Sequence, residues 1–248
     1  MSTMVFVQAR LGSTRLPGKS LADILGKPAL QRIVERVGRA PGIDGVAVLT
    51  STAERDRPIV ELCAGLAVPC VTGSEEDVLA RFAQGVAELG VSRFVRVTAD
   101  CPLIDAECLG RLTDVGGVEH VSVATGAMAA RPGLRRYPDG LDAELVSAEA
   151  LLTAHERATD PYEREHVTPY IWRRPDEFRL GLLEAPEDWG AERWTVDHAA
   201  DLDFVRAVFA RLRDPEAFGV RDVLDVLARE PALRAINASE RAASEPVR

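Results

Sequence analysis

The stretch Gln8-Ala9-Arg10-Leu11-Gly12-Ser13-Thr14-Arg15-Leu16-Pro17-Gly18-Lys19 follows the apolar run Met4-Val5-Phe6-Val7. A continuous apolar run that opens into a glycine-containing loop reads as the first strand of a buried sheet. Gly12 and Gly18 let backbone N–H groups come close to a ligand, while Arg10, Arg15 and Lys19 add charge-assisted hydrogen bonds. No carboxylate lies between these cations, although the chain as a whole carries a net charge of −9. Such a loop suits a polyanion, and phosphate binding is expected here in preference to a merely basic turn.

The loop nearly matches Gly-x-x-x-x-Gly-Lys-Ser/Thr, the phosphate loop of many kinases and ATPases. Gly18-Lys19-Ser20 is present, but Ser13 stands where the first glycine belongs and Gly12 lies one residue early. In that motif a helix starts at the lysine. Here Leu21-Ala22-Asp23-Ile24-Leu25-Gly26-Lys27-Pro28 intervenes, and Gly26 and Pro28 place the helix start near Pro28. The loop is expected to lie over its ligand, not to cap a helix. A P-loop-like kinase and a nucleotide-binding protein without turnover stand as the alternatives.

A chain of 248 residues with 46% hydrophobic content can bury a sizeable core. We expect one domain over 1–236, with a subregion inserted at 126–176, and a flexible polar tail over 237–248. No run approaches a membrane span and no basic-then-apolar leader is visible, so no membrane partner and a cytoplasmic location are expected. The acidic balance, with a pI of about 5.1, argues against a nucleic-acid partner. The cysteines Cys63, Cys70, Cys101 and Cys108 form no C-x-x-C pair. Zinc spacing is therefore missing, and Cys63 and Cys70 read as core residues.

Beyond the loop, Leu30, Ile33, Val34 and Val37 recur at helical spacing, and Val46–Leu49 reads as a strand. The alternation continues through a helix at Ile59–Leu66, a strand at Pro69–Val71, a helix at Val78–Leu89 and a strand at Phe94–Val97. This predicts an α/β, Rossmann-like fold with a mostly parallel sheet and helices on both faces. Ligands of such sheets gather at the C-terminal strand ends, where the loop and Asp100 both fall. From Val118 the rhythm breaks. A strand is expected at Val121–Ala124, irregular chain at Arg131–Tyr137, and helices at Ala148–Arg157 and Tyr162–Trp172. Further strands are expected near Phe178–Leu183 and Arg193–Val196, followed by two late helices.

A strand-end carboxylate facing a phosphate loop suits Mg²⁺, which places Asp100 as a candidate ligand. Asp197, in Arg193-Trp194-Thr195-Val196-Asp197-His198-Ala199-Ala200-Asp201-Leu202, is the second, and Asp201 reads equally well as a first-turn helix partner. Ser74, in Gly73-Ser74-Glu75-Glu76-Asp77, reads as a helix N-cap, and the acids after it suit a helix N-terminus. No Asp-x-Asp motif follows the strand at Thr98-Ala99-Asp100-Cys101-Pro102, which speaks against a glycosyltransferase with a similar sheet.

The loop Ala9–Lys19 resembles the signature of the CMP-sugar synthetase family, the cytidylyltransferases, and is closest to the SpsF-like spore-coat polysaccharide branch. Acylneuraminate and 3-deoxy-manno-octulosonate cytidylyltransferases are also similar. The segments Gly73–Phe82, Val97–Ile104 and Arg193–Leu202 follow in the family's order, although Ala199-Ala200 stands where Pro-Glu is common. The resemblance implies a nucleotidyltransferase that moves CMP from CTP to an acidic sugar or a similar acceptor, such as a phosphonate, and releases pyrophosphate. It implies nucleotide contacts from Ala9, Arg10, Gly12, Ser13, Arg15, Lys19, Ser74, Arg81 and Asp100, with Arg10, Lys19 and Asp100 catalytic. It also implies Mg²⁺, with Mn²⁺ as an alternative, on Asp100 and Asp197. Acceptor contacts are implied for Tyr137, Asp139, Asp142, Glu144 and His166. A homodimer is expected through the inserted subregion, because Tyr162, Val167, Tyr170, Ile171 and Trp172 exceed what one short helix can cover.

Overall fold

The computed structural model describes residues 2–123 and 136–244. Its centre is β1 (Thr3–Gln8), flanked by β4 (Gly45–Ser51) and β6 (Arg93–Thr98), both parallel to it. The seven-stranded sheet runs β5-β4-β1-β6-β8-β7-β9, with β5 at Cys70–Gly73, β7 at His120–Ser122, β8 at Ala143–Ser147 and β9 at Leu180–Leu182. Among the described strands of this sheet only β8 runs against its neighbours, inserted between β6 and β7.

Both faces of the central strands are apolar, and helices cover both. Val5, Val7, Val95 and Val97 face α1 (Ala29–Val37), α4 (Ala106–Thr113), α8 (Ala199–Phe209) and α9 (Val220–Arg229). Phe6 and Phe94 stack at 4.9 Å on the other face, under α3 (Val78–Leu89) and α5 (Ala148–Arg157). Towards the C-terminal ends that second face turns polar, at Gln8, Arg96 and Glu144.

The chain leaves β1 into the long loop, makes a single 3-10 turn at Lys19–Leu21, and forms a small hairpin of β2 (Asp23–Ile24) and β3 (Lys27–Pro28) before α1. Pro28 is the residue before the helix, as the sequence predicts. A second helix, α2 (Arg57–Gly65), supplies Ile59 and the buried Cys63 to the core.

Three expectations change. The helix expected over 162–172 is two, α6 (Pro161–His166) and α7 (Pro169–Trp172), parted by Val167 at a φ of 73°. Pro169 offers no N–H and disfavours helical backbone before it. Arg193 to Val196 adds no strand, only an isolated bridge between Arg193 and Asp139. The tail contains α10 (Ala238–Ser244), and Asn237 before it is fully buried. The irregular stretch expected at Arg131–Tyr137 falls largely outside the described residues, as do Ala124 and the first part of the 126–176 subregion.

Val167, Tyr170 and Ile171 pack with Phe82 and Leu151 beneath α3 and α5, and Trp172 is buried as well. The chain thus covers four of the five side chains that argued for a dimer, leaving Tyr162 exposed.

Candidate active site

The loop after β1 is tied down from below. Asp56, fully buried after β4, accepts from Leu11 N at 2.7 Å and from the Ser51 hydroxyl. Ser20 donates to the Arg10 carbonyl at 3.1 Å, and Gly18, at a φ of 74°, donates to the Leu11 carbonyl at 3.2 Å. The loop therefore closes on itself while its cations face a cleft lined by Gln8, Arg10, Gly12, Ser13, Arg15 and Lys19 on one side, and Thr98, Asp100 and Asp197 on the other. Arg10 makes no side-chain hydrogen bond to the described residues, so its guanidinium is open to a ligand.

Lys19 is the hub of the cleft. Its Nζ donates to Asp100 Oδ2 at 3.0 Å, Asp197 Oδ1 at 2.9 Å and the Val196 carbonyl at 2.8 Å. Arg15 adds a second bond to Asp197 Oδ1 at 3.1 Å. Two carboxylates nearly a hundred residues apart meet because Val196 N donates to the Asp100 carbonyl at 2.8 Å, joining the end of β6 to the segment before α8. Burial works against the Lys19 ammonium, but Asp100 and Asp197 outweigh it and hold its pKa above the usual lysine range. Burial likewise opposes the Asp100 carboxylate, yet Lys19 and the Thr98 hydroxyl keep its pKa below the ordinary value. Both groups are charged at neutral pH.

Arg193 holds this arrangement from behind. Its guanidinium donates to Asp139 Oδ2 at 2.8 Å, to Asp197 Oδ2 at 3.3 Å and to both oxygens of Asp201 at 3.0 Å. Asp201 is fully buried, accepts from Asp197 N and His198 N at the start of α8, and takes a third bond from Asn237. It is thus a structural anchor that combines a helix-start role with an ion pair. Gly140, at a φ of 109°, is required here: a Cβ would lie 2.4 Å from Thr195 N. That close crossing puts Asp139 beside Arg193.

The sequence profile of the cytidylyltransferase family matches residues 4–208, which include the loop, Asp100 and Asp197. The chain belongs to this family. It is 30% identical to the spore coat polysaccharide biosynthesis protein SpsF of Bacillus subtilis, over 93% of this chain and 96% of that protein. It is 34% identical to a 3-deoxy-manno-octulosonate cytidylyltransferase of Desulfatibacillum aliphaticivorans, over 66% of this chain and 68% of that one. A cytidylyltransferase structure from Leptospira borgpetersenii superposes with a TM-score of 0.86 at 26% identity, covering 94% of this chain and 96% of that one. The kinase alternative has no support: Lys19 enters one 3-10 turn and a hairpin, and α1 begins only at Ala29.

Within this cytidylyltransferase the remaining sequence candidates separate. Ala9 is buried, and its N–H is committed to the Leu49 carbonyl. Ser74 does not cap α3. That role belongs to Asp77, which accepts from Ala80 N at 2.9 Å, while Ser74 accepts from Asp77 N at 3.0 Å in the preceding turn. Arg81 is buried and donates to the Ser74 carbonyl at 2.5 Å, with its Nε unpartnered. Burial, reinforced by the neighbouring Arg10, pulls its pKa down to about 10, against the pull of Asp56 and Glu75. Neither Ser74 nor Arg81 lines the cleft.

Among the acceptor candidates, Asp139 reaches the site through Arg193. Asp142 accepts from Gly140 N at 3.3 Å in the same turn. Tyr137 is buried, with its hydroxyl between Arg111 and the Glu184 carbonyl. Glu144 is buried and accepts from Arg96 at 2.7 Å and from Thr168 at 2.8 Å, with His120 Nε2 at 3.1 Å. Along β8 the residues of both faces are buried from Ala143 to Val146, so Glu144 lies in the interior and not on an open polar face. His166 is exposed at the end of α6, against the Tyr162 ring, and His198 lies against Glu240 of α10.

Sequence reasoning missed Arg193 and Asp56. A buried acid shortly after a strand and an arginine four residues before Asp197 are weak local signals. Among the described residues no helix is long and apolar enough to cross a membrane.

Proposed function

We propose that the cleft binds CTP and transfers CMP to an acidic sugar or a similar small acid, with pyrophosphate as the leaving group. The observation that carries this reading is the Lys19 ammonium shared between Asp100 and Asp197 under a loop of cations. Arg10, Arg15 and Lys19 would take the triphosphate, trading carboxylate partners for phosphate oxygens. An acceptor oxygen then attacks the α-phosphorus and its proton passes to solvent, the bond from that phosphorus to pyrophosphate breaks, and the cations balance the charge that leaves. Such transfers depend on positioning and charge neutralisation more than on a protein base. The relatives named above, one acting on 3-deoxy-manno-octulosonate, point to an acidic sugar, and a phosphonate has related chemistry.

Asp100 and Asp197 would hold Mg²⁺, or Mn²⁺ in its place. Both carboxylates come within 3.0 Å of one Lys19 nitrogen, so they converge on a point a small hard cation can occupy. Among the described residues no cluster of three or more His, Cys, Asp or Glu side chains suits a metal, so phosphates and water would complete the shell. Bound there, the ion would supply charge stabilisation at the phosphates.

The test is pyrophosphate release from CTP, UTP, ATP and GTP with a panel of octulosonic, nonulosonic and phosphonic acids. The reading expects release with CTP and at least one acid, and CMP attached to that acid. Appearance of a nucleoside diphosphate without pyrophosphate would overturn it in favour of phosphoryl transfer. A homodimer belongs to the same proposal, now resting on the exposed Leu152 and Tyr162 of α5 and α6. Light scattering at micromolar concentration decides it, and a monomer mass would remove it.

A further inference from the structure

We infer that Gln8 is a fixed hydrogen-bond donor to the nucleoside part of the nucleotide, held in register by a buried relay through Arg96 and Glu144. This rests on the reading of the cleft as a nucleotide site. Gln8 ends β1 and lines the cleft floor. Its carboxamide oxygen accepts from Arg96 Nη2 at 3.1 Å and from Arg96 Nε at 3.3 Å. An arginine can only donate, so the oxygen must point towards it and the amide cannot flip. The NH₂ group makes no hydrogen bond to the described residues and faces the opposite way.

Arg96 is itself held by an ion pair. It donates to Glu144 at 2.7 Å, and Glu144 is held in turn by Thr168, before α7, and by His120 on β7. Elements that follow the nucleotide half of the chain therefore set the orientation of one amide on its floor. The target is an uncharged lone pair, on the base or a ribose hydroxyl. Arg10, Arg15 and Lys19 already serve the triphosphate, and a neutral amide adds little beside them. By contrast, a donor fixed against a nucleoside acceptor rejects nucleotides that lack that acceptor.

Calorimetry on the full chain tests this with CTP, UTP, 2′-deoxyCTP and inorganic tripolyphosphate as probes. Gln8→Met removes the donors without adding charge, and Gln8→Glu removes them while keeping an acceptor for Arg96. Gln8→Met should weaken CTP about five- to tenfold and leave tripolyphosphate within about twofold. Gln8→Glu should likewise weaken CTP, and its ratios of CTP to UTP and of CTP to 2′-deoxyCTP, in which the added charge cancels, keep the test open if the methionine variant does not fold. A reduced preference for CTP over UTP assigns the contact to the base, whereas loss of the 2′-deoxyCTP penalty assigns it to the ribose. Unchanged CTP affinity, or equal weakening of CTP and tripolyphosphate, overturns the role of Gln8. A wild-type chain that binds neither CTP nor tripolyphosphate overturns the cleft reading itself.

Discussion

In the cleft, Lys19 divides its donors among Asp100, Asp197 and the Val196 carbonyl. On the neighbouring strand Glu144 divides its oxygens among Arg96, His120 and Thr168. Both clusters pair carboxylates with hydrogen-bond donors at similar distances, yet they differ in exposure. The Asp100 side chain is 27% exposed and Arg15 is 58% exposed, against 8% for Glu144 and none for His120. On the proposed function, incoming phosphate would replace carboxylate on Lys19 at the cleft while water compensates the released groups. Glu144 is buried, so losing its ion pair leaves a buried charge unmatched. The first arrangement can be rewritten by a ligand, whereas the second is fixed by the fold.

Substitutions should therefore read out as function in one cluster and as stability in the other. Asp100→Asn or Asp197→Asn should cut pyrophosphate release by about a thousandfold or more, with a smaller fall in melting temperature than Glu144→Gln gives. Near-normal rates at limiting Mg²⁺ would remove that residue from the reacting centre.

Glu144→Gln should do the reverse. Burial raises the pKa of Glu144, but His120 and Arg96 overcome it and bring the value down to about 2 from the ordinary 4.5. A depressed carboxylate stabilises the fold fully above about pH 4.5, and that contribution is lost as pH falls towards 2, amounting to about 3 kcal/mol. Thermal melts from pH 7 to 2 should show this acid limb in the wild type. In Glu144→Gln the limb should flatten, with neutral-pH stability lower by about 3 kcal/mol. An unchanged limb would mean that Glu144 is not the group being titrated.

Lys19→Ala comes next, at about 1.5–3 kcal/mol of CTP affinity measured by calorimetry, with the fold intact. Unaltered affinity would break the picture of a shared ammonium that phosphate takes over. The smallest effect belongs to His166→Ala. Exposed and away from the cleft-lining residues, it should change stability by less than about 0.5 kcal/mol and leave turnover unaffected. A large loss of turnover would return His166 to the acceptor site.

The same contrast explains what could be read from the sequence. The loop, Asp100 and Asp197 were legible because each sits where an apolar strand-like run ends, a local pattern. The partners of Glu144 were not. They depend on β8 being inserted antiparallel between β6 and β7, which no residue of β8 announces. Ser74 and Asp77 each carry an oxygen able to reach a backbone N–H three residues on, so sequence could not rank them as caps. Asn237 looked like tail because its partners, Asp201 and the Arg193 carbonyl, lie about forty residues earlier. Arg193 was passed over for the same reason, since its value comes from three carboxylates that only the folded chain assembles.

The structure of this chain crystallised with CTP is the most direct test of the shared ammonium. Lys19 Nζ should then lie within hydrogen-bond distance of a phosphate oxygen and have given up at least one of its bonds to Asp100 and Asp197, with Arg10 and Arg15 on the same triphosphate. A complex with CTP bound elsewhere, or with Lys19 still bonded to both carboxylates and to no phosphate, would contradict the account.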